Sequence, residues 1–128
     1  MIEDEVYEAT NQNGNSVNID MRKAELKKGQ SPTELLLSSL AGCGAVDIVI
    51  MLKKRRKTIQ SFTIETEGNR RDDPPRYFTD IHCNYIVVSP DVTEEELYKT
   101  AKLALEKYCS VASSLKSNIT FSVSVVRP

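Results

Sequence analysis

No two of the three cysteines, Cys43, Cys83 and Cys109, have CxxC spacing, and a single histidine, His82, accompanies them. A disulfide framework or a structural zinc site needs more ligands at closer spacing, so both are excluded. His82 and Cys83 are adjacent in an extended segment and point to opposite faces, which removes the last metal-binding pair. No metal and no cofactor is expected. Charge of one sign is also lacking: 17 Lys and Arg stand against 18 Asp and Glu, interleaved to a net charge of -1. Such a chain has no global field to draw nucleic acid, an acidic membrane or a polyanionic substrate. No segment joins a basic start, an apolar stretch and a small-residue cleavage site, and the longest apolar run is broken by Ser38, Ser39 and Asp47. The chain reads as soluble and cytoplasmic. Repeats and low-complexity segments are missing too, and 128 residues are expected to form one domain, 1–128. A domain of this size buries about two thirds of the surface its unfolded chain exposes.

What is present is clear patterning. Residues 5–11 and 16–20 flank Asn13-Gly14-Asn15, a hairpin signal because Asn-Gly tolerates positive φ. Residues 21–30 form a polar connector. Ser31-Pro32-Thr33-Glu34 then reads as a helix start, with Ser31 as N-cap, Pro32 at the first helical position and Glu34 closing a capping box. The helix is predicted to reach about Lys57, where five consecutive cations from Lys53 complement its dipole and end it in water. Between Leu35 and Leu52 it is apolar nearly all round, more than a chain this small can cover, and a homodimer is the simplest solution.

Residues 59–67 and 76–88 are predicted to pair as strands across GNRRDDPP, with Tyr77, Ile81, Cys83, Tyr85 and Val87 on the core face. Cys83 is thus a core residue, and His82 faces solvent without a catalytic role. Thr93 to Glu96 form a second capping box, stapled by Val92 and Leu97, and start a helix with the stripe Leu97, Ala101, Ala104, Leu105 and Tyr108. The segment from Cys109 to Leu115 either continues that helix or begins a short new one capped by Cys109 or Ser110. Residues 119–125 alternate as a half-buried strand. The order ββ-α-ββ-α-(α)-β is an α+β layout rather than a parallel βαβ fold.

Cys43 and Cys109 are the candidate reactive groups. Cys43 lies between Gly42 and Gly44 inside an apolar helix, where each glycine costs about 1 kcal/mol relative to alanine. Two such costs side by side imply a close approach by a helix, a backbone or a substrate. Packing alone is the competing account of both cysteines, since free cysteine is among the most buried residue types.

The motifs SPTELLLSSLAGCGAVDIV and KYCSVASSL, in this order and element string, resemble the OsmC/Ohr family of thiol-dependent peroxidases. The resemblance covers about residues 6 to 126. It implies an intertwined homodimer, with an antiparallel sheet wrapped around long central helices and two sites at the interface. It also implies reduction of small hydrophobic organic hydroperoxides in an oxidative stress response, with Cys43 peroxidatic, Cys109 resolving and an external dithiol as reductant. The chain departs from the best-characterised members of that family, which activate the thiol with an N-terminal arginine and a glutamate at the helix start. Thr33 stands where that glutamate is expected, Glu34 lies one place later, and the only earlier arginine is Arg22. Asp47, one turn beyond Cys43, disfavours a thiolate if ionised, or accepts a hydrogen bond across a dimer seam, or faces a polar pocket. Arg76 belongs either to a solvated loop with Arg70 and Arg71 or to a cation reaching the partner's Cys43. These differences resemble a less characterised branch, for which a non-catalytic dimer binding a small apolar ligand is the alternative.

Overall fold

The computed structural model describes residues 1–128. They divide into two compact units, Met1–Leu36 and Leu37–Pro128.

In the N-terminal unit, β1 (Val6–Thr10) and β2 (Ser16–Asp20) form an antiparallel hairpin in the register Val6↔Asp20 to Thr10↔Ser16. Gly14 turns it with φ 85°. The connector is held by Asp20, a buried carboxylate that no sequence signal singles out. It accepts the Arg22 guanidinium at 2.8 and 3.0 Å and the backbone amides of Arg22 at 3.0 Å and Lys28 at 2.8 Å. Those bonds, the Arg22 side chain first, hold its carboxyl well below the ordinary carboxylate range. The capping box is present as predicted. Ser31 Oγ accepts from the Glu34 amide at 3.3 Å, and Glu34 Oε1 accepts from the Ser31 amide at 3.3 Å and its hydroxyl at 2.7 Å. Lys27 also pairs with Glu34, and these bonds, Lys27 first, lower the Glu34 carboxyl to about 2.

Helix α1 spans Pro32–Lys54, three residues short of the expected Lys57. It stops because Arg56 adopts φ 60°, so that the Arg56 amide bonds the Lys53 carbonyl and the Lys57 amide bonds the Leu52 carbonyl. This is a Schellman closure, with arginine in the place that glycine usually takes. Its 23 residues rise about 35 Å. By length and composition alone α1 is apolar enough to cross a membrane. Leu40, Gly44, Ile48 and Leu52 are buried at four-residue spacing, however, and the three large ones belong to the hydrophobic core, which is the pattern of a helix packed on a sheet.

The larger unit is built on a three-stranded sheet, ordered β3 (Ser61–Arg70), β4 (Phe78–Val88), β5 (Asn118–Val126). β3 and β4 are antiparallel, whereas β4 and β5 run parallel from Asp80↔Asn118 to Val88↔Val126. The sheet is therefore mixed, which corrects the expectation of an antiparallel sheet. Residues 89–117 carry two helices, α2 (Glu94–Leu103) and α3 (Ser110–Ser114), and so form a crossover long enough to return the chain to the start of the sheet. The core face of β4 also differs at its beginning. Asn69 pairs with Asp80 but Arg70 with Phe78, so Thr79 is an extra residue; this bulge puts Phe78 in the core and leaves Tyr77 36% exposed. Beyond the bulge, Ile81, Cys83, Tyr85 and Val87 are buried as predicted. The alternate residues include exposed His82, whose Nδ1 and Nε2 lie 2.7 and 2.9 Å from the Thr120 and Ser122 hydroxyls.

Thr93 caps α2 through its hydroxyl, 3.1 Å from the Glu96 amide, and Val92 and Leu97 are both fully buried as the staple requires. The Glu96 carboxylate pairs with Lys57 at 3.2 Å. The predicted stripe holds through Leu105, which packs partly buried against the core, but fails at Tyr108, which is 53% exposed because the helix widens into a π turn over Ala104–Tyr108.

Replacing Ser31 by alanine is expected to cost about 1 kcal/mol through loss of the cap, read as a lower chemical-denaturation midpoint. An unchanged midpoint would show that the box contributes nothing to the fold.

Candidate functional site

Each cysteine reaches the interior of the larger unit from a different element. Cys43 stands on α1 and is half-buried; Cys83 on β4 and Cys109 after the π turn are buried. The π turn sets the position of Cys109. Its amide bonds the Ala104 carbonyl at 2.7 Å, five residues back, and with ψ 105° the chain leaves the helix there. Cys109 then caps α3, its Sγ accepting from the Ala112 amide at 3.4 Å. Of the two sequence readings of this segment, the capped new helix is the one observed.

Cys43 and Cys109 are close enough for Cys43 to act on the Cys109 thiol. Two opposing effects act on Cys109. Burial, the larger, and then the neighbouring Cys43 raise its pKa, while the amides of Ala112 and Val111 lower it; burial wins, and the thiol is pushed up to about 11. Cys109 is therefore a protonated thiol at neutral pH. Cys83 is also raised by burial, opposed by Tyr85.

Tyr85 is the residue that sequence reasoning assigned only to the core. It is fully buried, and its ring is held between Phe62 and Phe121, at centroid distances of 6.2 and 6.3 Å. Its hydroxyl sits where a Cβ on Gly44 would be 3.0 Å away, so Gly44 is the glycine that admits a close approach. Gly42 has open space around it and is exposed. The Tyr85 hydroxyl makes no hydrogen bond of acceptable geometry. Burial, then Cys83, Cys109 and Cys43, push its pKa up, so all three sulfurs are near enough to be felt. Cys83 is the sulfur that acts on it most, but a thiol is a weak acceptor, and the hydroxyl is left without a hydrogen-bond partner. Such a group costs about 1–3 kcal/mol that phenylalanine would avoid. The only advance signal was its period-two spacing from Cys83.

The remaining candidates are placed as follows. Glu34 is engaged by Ser31 and Lys27. Arg22 is engaged by Asp20 and by Glu3 at 3.1 Å. Arg76 is exposed beside the Pro74-Pro75 turn, its Nε donating to the Arg71 carbonyl at 3.3 Å. Asp47 is half-buried on α1 and has no ion pair. No cluster of three His, Cys, Asp or Glu side chains is arranged to hold a metal. A cleft of about 300 Å³ opens between the π turn, α3 and β5, lined by Leu105, Ala112, Ile119 and Phe121 with Glu106 and Ser113.

Residues 25–124 match the sequence pattern of OsmC-like proteins. The chain belongs to the OsmC-like family. Protein YhfA of Escherichia coli strain K12 is 38% identical over 101 residues, covering 77% of this chain and 75% of that protein. A hypothetical protein from Aquifex aeolicus VF5 has a similar crystal structure, with a TM-score of 0.86 at 29% identity, covering 100% of this chain and 92% of that one. The organic hydroperoxide resistance protein OhrB of Bacillus subtilis shares the fold at a TM-score of 0.59 and 17% identity, over 94% of this chain and 96% of that one.

Proposed function

We propose that this OsmC-like protein is a cysteine-based peroxidase for organic hydroperoxides, with Cys43 peroxidatic and Cys109 resolving. The observation that carries the reading is a half-exposed Cys43 close enough to act on a buried, protonated Cys109. The Cys43 thiolate attacks the terminal oxygen of the hydroperoxide, the O–O bond breaks, and an alkoxide leaves and takes a proton as the alcohol. Cys43 is then a sulfenic acid. The Cys109 sulfur displaces the sulfenic hydroxyl, which leaves as water with the Cys109 proton, and a disulfide forms. An external dithiol reduces that disulfide and is itself oxidised to its own disulfide. A thiol held protonated until the sulfenic acid appears suits the resolving part, since a second anion beside Cys43 would oppose the first. The apolar Leu105, Ile119 and Phe121 lining the nearby cleft suit a substrate with a hydrocarbon body.

The proposed protein is a homodimer. Gly42, Val46 and Ile50 recur at four-residue spacing on α1, with Val46 58% and Ile50 48% exposed, so one face of the helix is apolar and uncovered in a single chain. Glycine at the first of these positions lets a second helix approach closely. Sedimentation at micromolar concentration is expected to give twice the chain mass of 14.4 kDa. A folded monomer would contradict this.

Two variants test the thiol chemistry. With cumene hydroperoxide and a dithiol, Cys43→Ser is expected to abolish turnover, while Cys109→Ser consumes about one equivalent of peroxide and stalls as a sulfenic acid. Wild-type turnover in both variants would refute the reading in favour of a ligand-binding dimer.

A further inference from the structure

The phenol of Tyr85 has a rigid seat and an unused proton. The ring is fixed by Phe62 and Phe121, the hydroxyl lies against α1 at Gly44, and the titratable groups that act on it are the sulfurs of Cys83, Cys109 and Cys43, in that order. Neutral thiols accept hydrogen bonds weakly, so the hydroxyl stays unsatisfied while the cysteines are protonated. A thiolate is a much stronger acceptor, because hydrogen bonds to an ionised partner are roughly twice as strong as neutral ones. The group is therefore arranged to gain its partner only when a sulfur becomes anionic.

We propose that Tyr85 is the hydrogen-bond donor of the thiol site, stabilising the anion carried by the Cys43–Cys109 pair. This rests on the thiol chemistry proposed above and supplies what that chemistry lacks. None of the leading influences on Cys109 or Tyr85 is a cation. Arg22 is occupied by Asp20 and Glu3, and Arg76 by the Arg71 carbonyl. A fixed dipole aimed at the site where charge develops performs the same task without a buried cation. Burial and the surrounding sulfurs push the Tyr85 pKa up, so the phenol keeps its proton and acts as a donor rather than as an acid. The same seat explains Gly44, because any side chain there would displace the hydroxyl.

The test is the pH profile of Cys43 alkylation by iodoacetamide in the full chain, followed by mass spectrometry of the Cys43 peptide. Tyr85→Phe is expected to move the midpoint up by about one pH unit and to slow alkylation at pH 7 about tenfold. Its thermal stability should be unchanged or higher, because a buried orphan hydroxyl is removed. An unchanged profile, or lost stability with the profile intact, would overturn the assignment and leave Tyr85 as packing. Gly44→Ala, which places a Cβ 3.0 Å from the hydroxyl, should shift the profile the same way by a smaller amount, and decides the matter if Tyr85→Phe does not fold. Alkylation needs no peroxide. A wild type inert to cumene hydroperoxide whose Cys43 profile still depends on Tyr85 would therefore refute the peroxidase and uphold the donor.

Discussion

The contact between Tyr85 and Gly44 is the constraint on which the thiol site depends. A central strand and a long helix come close enough for the phenol to touch α1 only because one helical residue has no side chain. That contact sets the approach of β4 to the helix turn carrying Cys43, and β4 also carries Cys83. The crossover from β4 to β5 then delivers Cys109 to the same region. Replacing glycine by alanine inside a helix ordinarily gains about 1 kcal/mol. At position 44 that gain is forgone for a fit in which Tyr85 is fully buried.

Electrostatics at the site are governed by burial more than by helix geometry. Cys109 sits at the start of α3 and accepts an amide hydrogen bond, which alone would favour its thiolate. Desolvation outweighs that bond, and the helix is only one turn long, so the thiol remains protonated. The contrast with Asp20 is instructive. That carboxylate is also buried by its surroundings, but a guanidinium and several amides surround it, and its carboxyl is pulled down instead of up. The difference is in the number and charge of donors, which is why an unengaged donor beside three sulfurs matters.

Much of this was legible in the sequence because local chemistry dictated it. Ser31 and Thr93 cap their helices, Asn13-Gly14 turns the hairpin, and the alternation after the bulge in β4 places Cys83 and Tyr85 inside. The misses have non-local causes. The parallel pairing of β5 is fixed by where the crossover returns the chain, which no pattern within residues 118–126 records. Phe78 displaced Tyr77 from the core through one extra residue, Thr79, which shifts the alternation. Tyr108 left the apolar stripe because the π turn adds a residue to the helical repeat. At the site, Cys43 and Cys109 were found from their sequence surroundings, but Tyr85 looked like any alternating core residue. Only the close contact at Gly44 and the absence of a partner for its hydroxyl distinguish it. The expectation that both flanking glycines serve a close approach holds within one chain for Gly44 alone.

The central claim is that Cys43 and Cys109 form one redox unit while Cys83 stays apart as a buried core thiol. Intact-mass and peptide mapping of the wild-type chain after one equivalent of organic hydroperoxide, without reductant, tests it most directly. The account predicts a loss of about two hydrogens per chain, a peptide joining Cys43 to Cys109, and Cys83 free. Three free thiols after treatment, or a crosslink through Cys83, would contradict it.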